Sequence, residues 1–220
     1  MNTMILTKTY DEPPVCEKEI RRFAACKSAD SETAALLDAC LREALPVLTY
    51  RVCYGEFPMR TDGDACDFGA FRVHSKQLAR NLAGCKGVVL YAATVGVELD
   101  RLIARYGRLS PAKALLLQAI GAERIEALCD VFCADIAAER RIGTRPRFSP
   151  GYGDLPLETQ TDIFAVLQPY KHIGLTLSDS LLMSPTKSVT AFVGLGGEQK
   201  PTTNPCGDCN KADCAFRGVL

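Results

Sequence analysis

The sequence predicts an α+β fold, with a mixed or antiparallel sheet packed against several helices. Two periodicities carry that prediction. Residues 47–57, 87–93 and 188–195 are rich in Val, Tyr, Phe, Leu and Ala, run at strand length and are bounded by turn residues. Residues 15–27, 31–45 and 112–141 set apolar side chains at helical spacing. No internal repeat is present, so one continuous domain over 1–195 is expected. A linker and cysteine-rich tail follow over 196–220.

Taken in order, residues 1–14 are polar and end in Pro13-Pro14, which reads as an extended arm or edge strand. Residues 15–27 form a helix with Ile20, Phe23 and Ala24 on one face. A second helix begins at Ser31, carries Ala35, Leu36, Ala39 and Cys40 as its stripe, and stops at Pro46. The strand over 47–57 is followed by the turn Thr61-Asp62-Gly63-Asp64, and residues 66–73 return as its hairpin partner. Residues 75–82 are a short helix. The compact run over 87–93 is a buried strand, and Thr94-Val95-Gly96 leads into a helix to about Tyr106 with Leu99, Leu102 and Ile103 inward.

Ser110-Pro111 supplies an N-cap and a first-turn Pro for the longest helix. Its core stripe is Leu115, Ile120, Ile125, Leu128 and Phe132, Gly121 is its weak point, and Gly143 is the stop signal. Residues 158–167 are helical and end at Pro169. Residues 175–183 and 188–195 have strand character, with a turn at Pro185 between them. Gly194-Leu195-Gly196-Gly197 is a turn rather than a phosphate loop, because no helix follows it.

Composition narrows the function classes. The 220 residues are 47% hydrophobic with a formal net charge of +0. That balance gives no electrostatic footprint for nucleic acid or an anionic membrane. No run is apolar for long enough to span a bilayer, and the N-terminal apolar run is too short for a signal peptide, so a cytoplasmic protein is expected. The 11 cysteines are odd in number and scattered, which argues against a disulfide framework. Cys16, Cys26, Cys40, Cys53, Cys66, Cys85, Cys129 and Cys133 are expected to be small buried hydrophobes in a reducing setting.

Two stretches carry chemistry. Arg147-Phe148-Ser149-Pro150-Gly151-Tyr152 joins a planar cationic fork to a tight turn and an aromatic face. It reads either as a polar interhelix loop with a structural Arg or as a clamp for a carboxylate-bearing ligand. At the other end, Cys206, Cys209 and Cys214 stand in a C-x2-C-x4-C pattern within a Gly/Asp/Asn-rich loop. That spacing suits Zn or an iron–sulfur cluster, with a fourth ligand still to be found. A tail of reactive thiols is the alternative. Cys129 and Cys133, one helical turn apart, are assigned to core packing.

Beyond the turn run Thr159-Gln160, Tyr170-Lys171-His172-Ile173-Gly174-Leu175, Leu177-Ser178-Asp179-Ser180, Met183-Ser184-Pro185 and Ser188-Val189. With the Arg-x-Ser-Pro-Gly-Tyr turn, this ordered set resembles the activation (reactivation) domain of cobalamin-dependent methionine synthase. The resemblance is strongest over 110–195, extends back to about residue 84, and is weak or absent over 1–80 and the tail. It implies that family's α+β fold and S-adenosylmethionine as ligand. It also implies a role acting in trans: an electron reaches the Co(II) cobalamin of a separate cobalamin-binding methyltransferase, and the methyl group of S-adenosylmethionine remakes methylcobalamin. Partners would be that methyltransferase and an electron donor.

Carried over residue by residue, the resemblance places Arg147 on the ligand carboxylate. Ser149, Pro150, Gly151 and Tyr152 fall on the turn that meets the ligand, and Glu126 on the amino group or ribose. His172 matches the family's Lys-His, and it also reads as a helix-end His satisfying a carbonyl. The family's paired ligand-contacting aromatics have no counterpart; Gln199-Lys200-Pro201 stands there instead. No catalytic acid or base is expected, since methyl transfer from a sulfonium to reduced cobalt needs positioning alone. Whether the chain is itself an enzyme stays open. Two other functions remain: a non-catalytic docking partner of a corrinoid protein, and a metal- or redox-sensing regulatory protein.

Overall fold

The computed structural model describes residues 3–26 and 30–196. Along the chain come β1 (Leu6–Tyr10), α1 (Glu17–Phe23), α2 (Ser31–Ala44), β2 (Tyr50–Phe57), β3 (Arg60–Asp62), β4 (Ala65–Asp67), β5 (Arg72–His74) and α3 (Lys76–Asn81). There follow β6 (Gly87–Thr94), α4 (Glu98–Leu109), α5 (Pro111–Arg140), α6 (Thr159–Leu167), α7 (Pro169–His172), β7 (Thr176–Leu177), β8 (Met183–Ser184) and β9 (Ser188–Leu195). This is the expected α+β class.

The main sheet has the order β1-β2-β6-β9, and every pairing in it is antiparallel. Alternation along each strand sends side chains to two cores. Val52, Tyr54, Val89, Tyr91, Ala191 and Val193 join α1, α2, α4 and α5 in the larger one. Cys53, Val88, Leu90 and Phe192 face a second core with Phe68, Leu78, Phe148 and Ile163. β6 is therefore covered on both faces, which is why residues 87–93 read as a continuous apolar block rather than an alternation.

Several elements depart from the sequence prediction. Residues 66–73 are not the partner of β2. Gly69 (φ +78) bends the chain, its N–H held by Asp67 at 2.8 Å, so β4 pairs with β5, and β3 completes a separate three-stranded sheet. Residues 175–183 contribute only the two-residue β7 and the start of β8, because Ser178 accepts the Leu182 N–H at 3.1 Å and turns the chain. In α5, Leu115 is 52% exposed and the inward stripe is carried by Leu116, Leu117 and Ile120. Gly121 is a close-packing site: a Cβ there would lie 2.5 Å from Leu99 Cδ2. Ser110 precedes α5 without a side-chain capping bond, and the left-handed C-cap is Arg141 (φ +50) rather than Gly143. Cys16 is exposed and Cys26, Cys85 and Cys133 are half-buried, while Cys40, Cys53, Cys66 and Cys129 are buried as expected.

Candidate functional site

Residues 144–148 run along the free edge of β9, with Phe148 N donating to Phe192 O and Phe192 N to Phe148 O, both at 2.9 Å. Strand alternation then decides where the two neighbours point. Phe148 enters the second core, and Arg147 turns to the opposite side, toward α5. There its two Nη atoms donate separately to Glu126 and Asp130, which lie one helical turn apart. Burial works against the charge of Arg147, yet the bond to Asp130 and the neighbouring Tyr91, Cys129 and Glu126 hold its pKa above the ordinary guanidinium value.

Arg147, Glu126 and Asp130 form one wall of a cleft of about 690 Å³. α5 presents Glu123, Glu126, Ala127, Asp130 and Val131 to it, a single helical face. α1 adds Glu19, Arg22 and Phe23, and the arm before α1 adds Pro13, Pro14 and Cys16. The arm is held by a buried pair. Arg124, fully buried, donates to Pro13 O at 2.6 Å, to Pro14 O at 2.7 Å and to both oxygens of Glu123 at 2.6 Å. Glu123 also accepts the Cys16 N–H at 3.1 Å. Two successive prolines supply carbonyls with no N–H of their own to satisfy, so one guanidinium completes the polar accounting.

Of the residues singled out from sequence, Arg147 and Glu126 meet in this cleft. Ser149, Pro150, Gly151 and Tyr152 form the expected turn, with Gly151 at φ +83 and Tyr152 edge-on to Phe148 at 5.3 Å, but they are not part of the cleft lining. Asp130, the Glu123–Arg124 pair and Phe23 were not anticipated. Asp130 could have been, since it stands four residues after Glu126. Cys129 lies beneath the cleft with its thiol pushed up to about 12 by burial, and burial raises Cys133 too, so both stay protonated as packing groups. His172 ends α7 exposed to solvent.

A second cleft of about 560 Å³, between α6, α7 and the β7–β8 hairpin, has Asp179 as its sole charged lining residue. Among the described residues no group of three or more His, Cys, Asp or Glu could hold a metal. Cys206, Cys209 and Cys214 lie outside the described residues. No helix among those described is long and apolar enough to cross a membrane.

An antiparallel sheet with α5 across one face and a charged cleft between α1 and α5, closed on one side by Arg147, defines the architecture. No family model matches the chain, and no curated protein matches its sequence. Among solved structures, it is similar to the MetH reactivation domain bound to AdoHcy. The TM-score is 0.65 at 15% identity, covering 90% of this chain and 80% of that one. At that identity the likeness establishes the fold.

Proposed function

We propose that this chain binds S-adenosylmethionine in the α1–α5 cleft and supports re-methylation of the corrinoid of a separate cobalamin-dependent methyltransferase. The observation that carries this is the meeting of Arg147 and Glu126 in a ligand-sized cleft, on the fold of a domain that holds AdoHcy. The electrostatics agree. Glu19, Glu123, Glu126 and Asp130 line the cleft against Arg22 and Arg147, and Arg124 behind them leaves one negative charge in excess. A sulfonium ligand carries the positive charge such a site favours, and its neutral thioether product does not. Phe23 and the Pro13-Pro14 arm offer apolar faces for a purine.

In the reaction, a one-electron reductant brings Co(II) to Co(I). The S–CH3 bond then breaks as the cobalt electron pair takes the methyl, and AdoHcy leaves. No proton moves, so the chain's part is to hold the donor and aim it. Calorimetric titration with S-adenosylmethionine tests the binding step. Arg147→Ala should weaken it about 10–100-fold, the range for a charge-assisted bidentate contact. Unchanged affinity would remove Arg147 from the site. The reaction is tested anaerobically, by label passing from donor to the cobalt of a partner protein.

One observation favours a second reading. The fork of Arg147 is already taken by Glu126 and Asp130, as in a purely structural bridge. A non-catalytic corrinoid-docking protein would bind the partner in pull-down yet show no heat with the methyl donor.

A further inference from the structure

The main sheet has two edges, and the fold treats them differently. At β9 the chain caps its own edge: Arg145 N donates to Gly194 O, and Phe148 exchanges both backbone bonds with Phe192, each at 2.9 Å. At β1 the sheet order ends. Antiparallel alternation gives the direction of the groups left there. Phe192 turns its N–H and C=O away from β6, so its neighbour Ala191 bonds Tyr91. By the same step Ala92 bonds Cys53 on β2, and Val52 bonds Lys8 on β1. Thr7 and Thr9, on either side of Lys8, therefore aim both N–H and C=O outward. Among the described residues no backbone group pairs with them.

The open edge is flanked by uncovered apolar side chains. Thr3 and Ile5 lie over Gly55 on one side of the strand. Lys8 and Tyr10 point the other way, to Asp135 of α5. Met4 and Leu6 share the side of Lys8 and Tyr10 by alternation, and they are 74% and 38% exposed. Unpaired backbone groups beside bare apolar residues form a template for another strand.

We propose that the β1 edge pairs antiparallel with the β1 edge of a second copy of this chain, about a twofold axis at Thr7, joining the two sheets into one. The sequence of the edge selects that register. With Lys8 on the axis, the two ammonium groups would stand directly opposite each other, a like-charge pair. With Thr9 on the axis, Ile5 would face Pro13, which has no N–H to give, and Met4 would stay bare. With Thr7 on the axis, Ile5 pairs with Thr9 of the second copy, Leu6 lies on the stem of its Lys8, and Met4 on the ring of its Tyr10. Both exposed apolar residues are then covered by the same strand of the other copy, and no like charges meet. A single strand pair is a small interface, which sets the dimer in the roughly micromolar range. The inference is independent of the methyl-donor cleft.

The test uses the full chain. Sedimentation velocity over roughly 1–200 μM should show monomer passing to dimer. Thr7→Pro removes an outward N–H without touching a β1–β2 bond, and should keep the chain monomeric with an unchanged circular dichroism spectrum. Leu6→Lys places two like-charge pairs across the axis and should weaken association about tenfold, whereas Leu6→Glu should keep or tighten it. Under mild oxidation Thr7→Cys should give a covalent dimer, since paired residues at the axis have Cα atoms about 5.5 Å apart. Thr9→Cys should give no more covalent dimer than the wild type. Should Thr7→Pro fail to fold, the two cysteine variants still decide the matter. A wild-type chain that stays monomeric throughout overturns the proposal and leaves the edge to a strand from another protein. A dimer indifferent to a folded Thr7→Pro, or one cross-linked through Thr9→Cys and not Thr7→Cys, overturns it as well.

Discussion

α5 contributes carboxylates to two arginine–carboxylate clusters about one turn apart, one with Arg124 of the same helix and one with Arg147 beside β9, and the two differ sharply in their exposure to water. In the first, Arg124 is fully buried and its Glu123 partner 4% exposed; their polar atoms are committed to each other and to the Pro13–Cys16 arm. In the second, Arg147 is 26% exposed, Glu126 46% and Asp130 69%. The same chemistry holds a wall in place at one site and faces a cleft at the other. A buried pair cannot exchange partners without stranding a charge, whereas a half-open one can trade its own carboxylates for a ligand's at little desolvation cost. Exposure, not residue type, separates the scaffold from the candidate binding group.

The comparison breaks most visibly at the buried pair. Glu123→Ala should destabilise the protein by about 3–5 kcal/mol in urea unfolding, the usual loss when one partner of a buried ion pair is removed. Arg124→Met should fall in the same range, because it strands the carbonyls of Pro13 and Pro14 as well as Glu123. A loss below about 1 kcal/mol for both would mean the clasp is wetter and looser than its geometry indicates.

At the open cluster the ranking reverses. Arg147→Ala should cost less than about 1 kcal/mol of stability, as for a partly exposed pair. Its 10–100-fold loss of methyl-donor affinity is the larger effect. Should the same substitution instead unfold the protein and leave residual binding intact, the two clusters have exchanged roles.

Asp130 sharpens the contrast further. It is the most exposed of the carboxylates on Arg147 and part of the negative excess in the cleft. Asp130→Asn should reduce the preference for S-adenosylmethionine over AdoHcy by about two- to fivefold, the scale of one partly screened charge several ångströms away. Parallel titrations with the two ligands measure the ratio. A ratio that does not move would place the sulfonium away from this wall.

How much of this was legible in the sequence follows from distance along the chain. The Pro-Gly turn pointed to Arg147, and Glu126 came from the resemblance. The Glu123–Arg124 clasp did not appear, because its partners Pro13 and Pro14 lie more than a hundred residues away and nothing local distinguishes Arg124 from a solvated helix residue. Strand periodicity located β2, β6 and β9, but a hairpin was read through residues 66–73, where the bend at Gly69 gives two short strands instead. On α5 the predicted stripe began one position early at Leu115, since a helix packed on more than one side buries a face too wide for a single phase to fix.

A third cluster on α5 extends the series to the surface. Lys8 on β1 donates to Asp135 at 2.7 Å and Glu139 at 2.6 Å, and Tyr10 donates to Asp135 at 2.7 Å. With Asp135 at 35% and Glu139 at 46% exposure, solvent screening should limit Asp135→Asn to about 0.5–1 kcal/mol at neutral pH. The bonds from Lys8 and then Tyr10 hold the Asp135 carboxyl below its ordinary 3.8. A depressed carboxylate adds stability that is fully present above its unfolded value and is lost as pH falls through its folded one. On the other partner, burial opposes the charge, but the bonds to Asp135 and Glu139 prevail and raise Lys8 above 10.5, so its share persists below that value and is lost as pH rises through the folded pKa. The wild-type advantage over Asp135→Asn should therefore be flat across the neutral range, shrink below about pH 4 and shrink again in strong alkali. Urea midpoints at pH 3, 7 and 9 check the acid limb and the flat range, and an advantage undiminished at pH 3 would show that Asp135 acts through packing rather than charge.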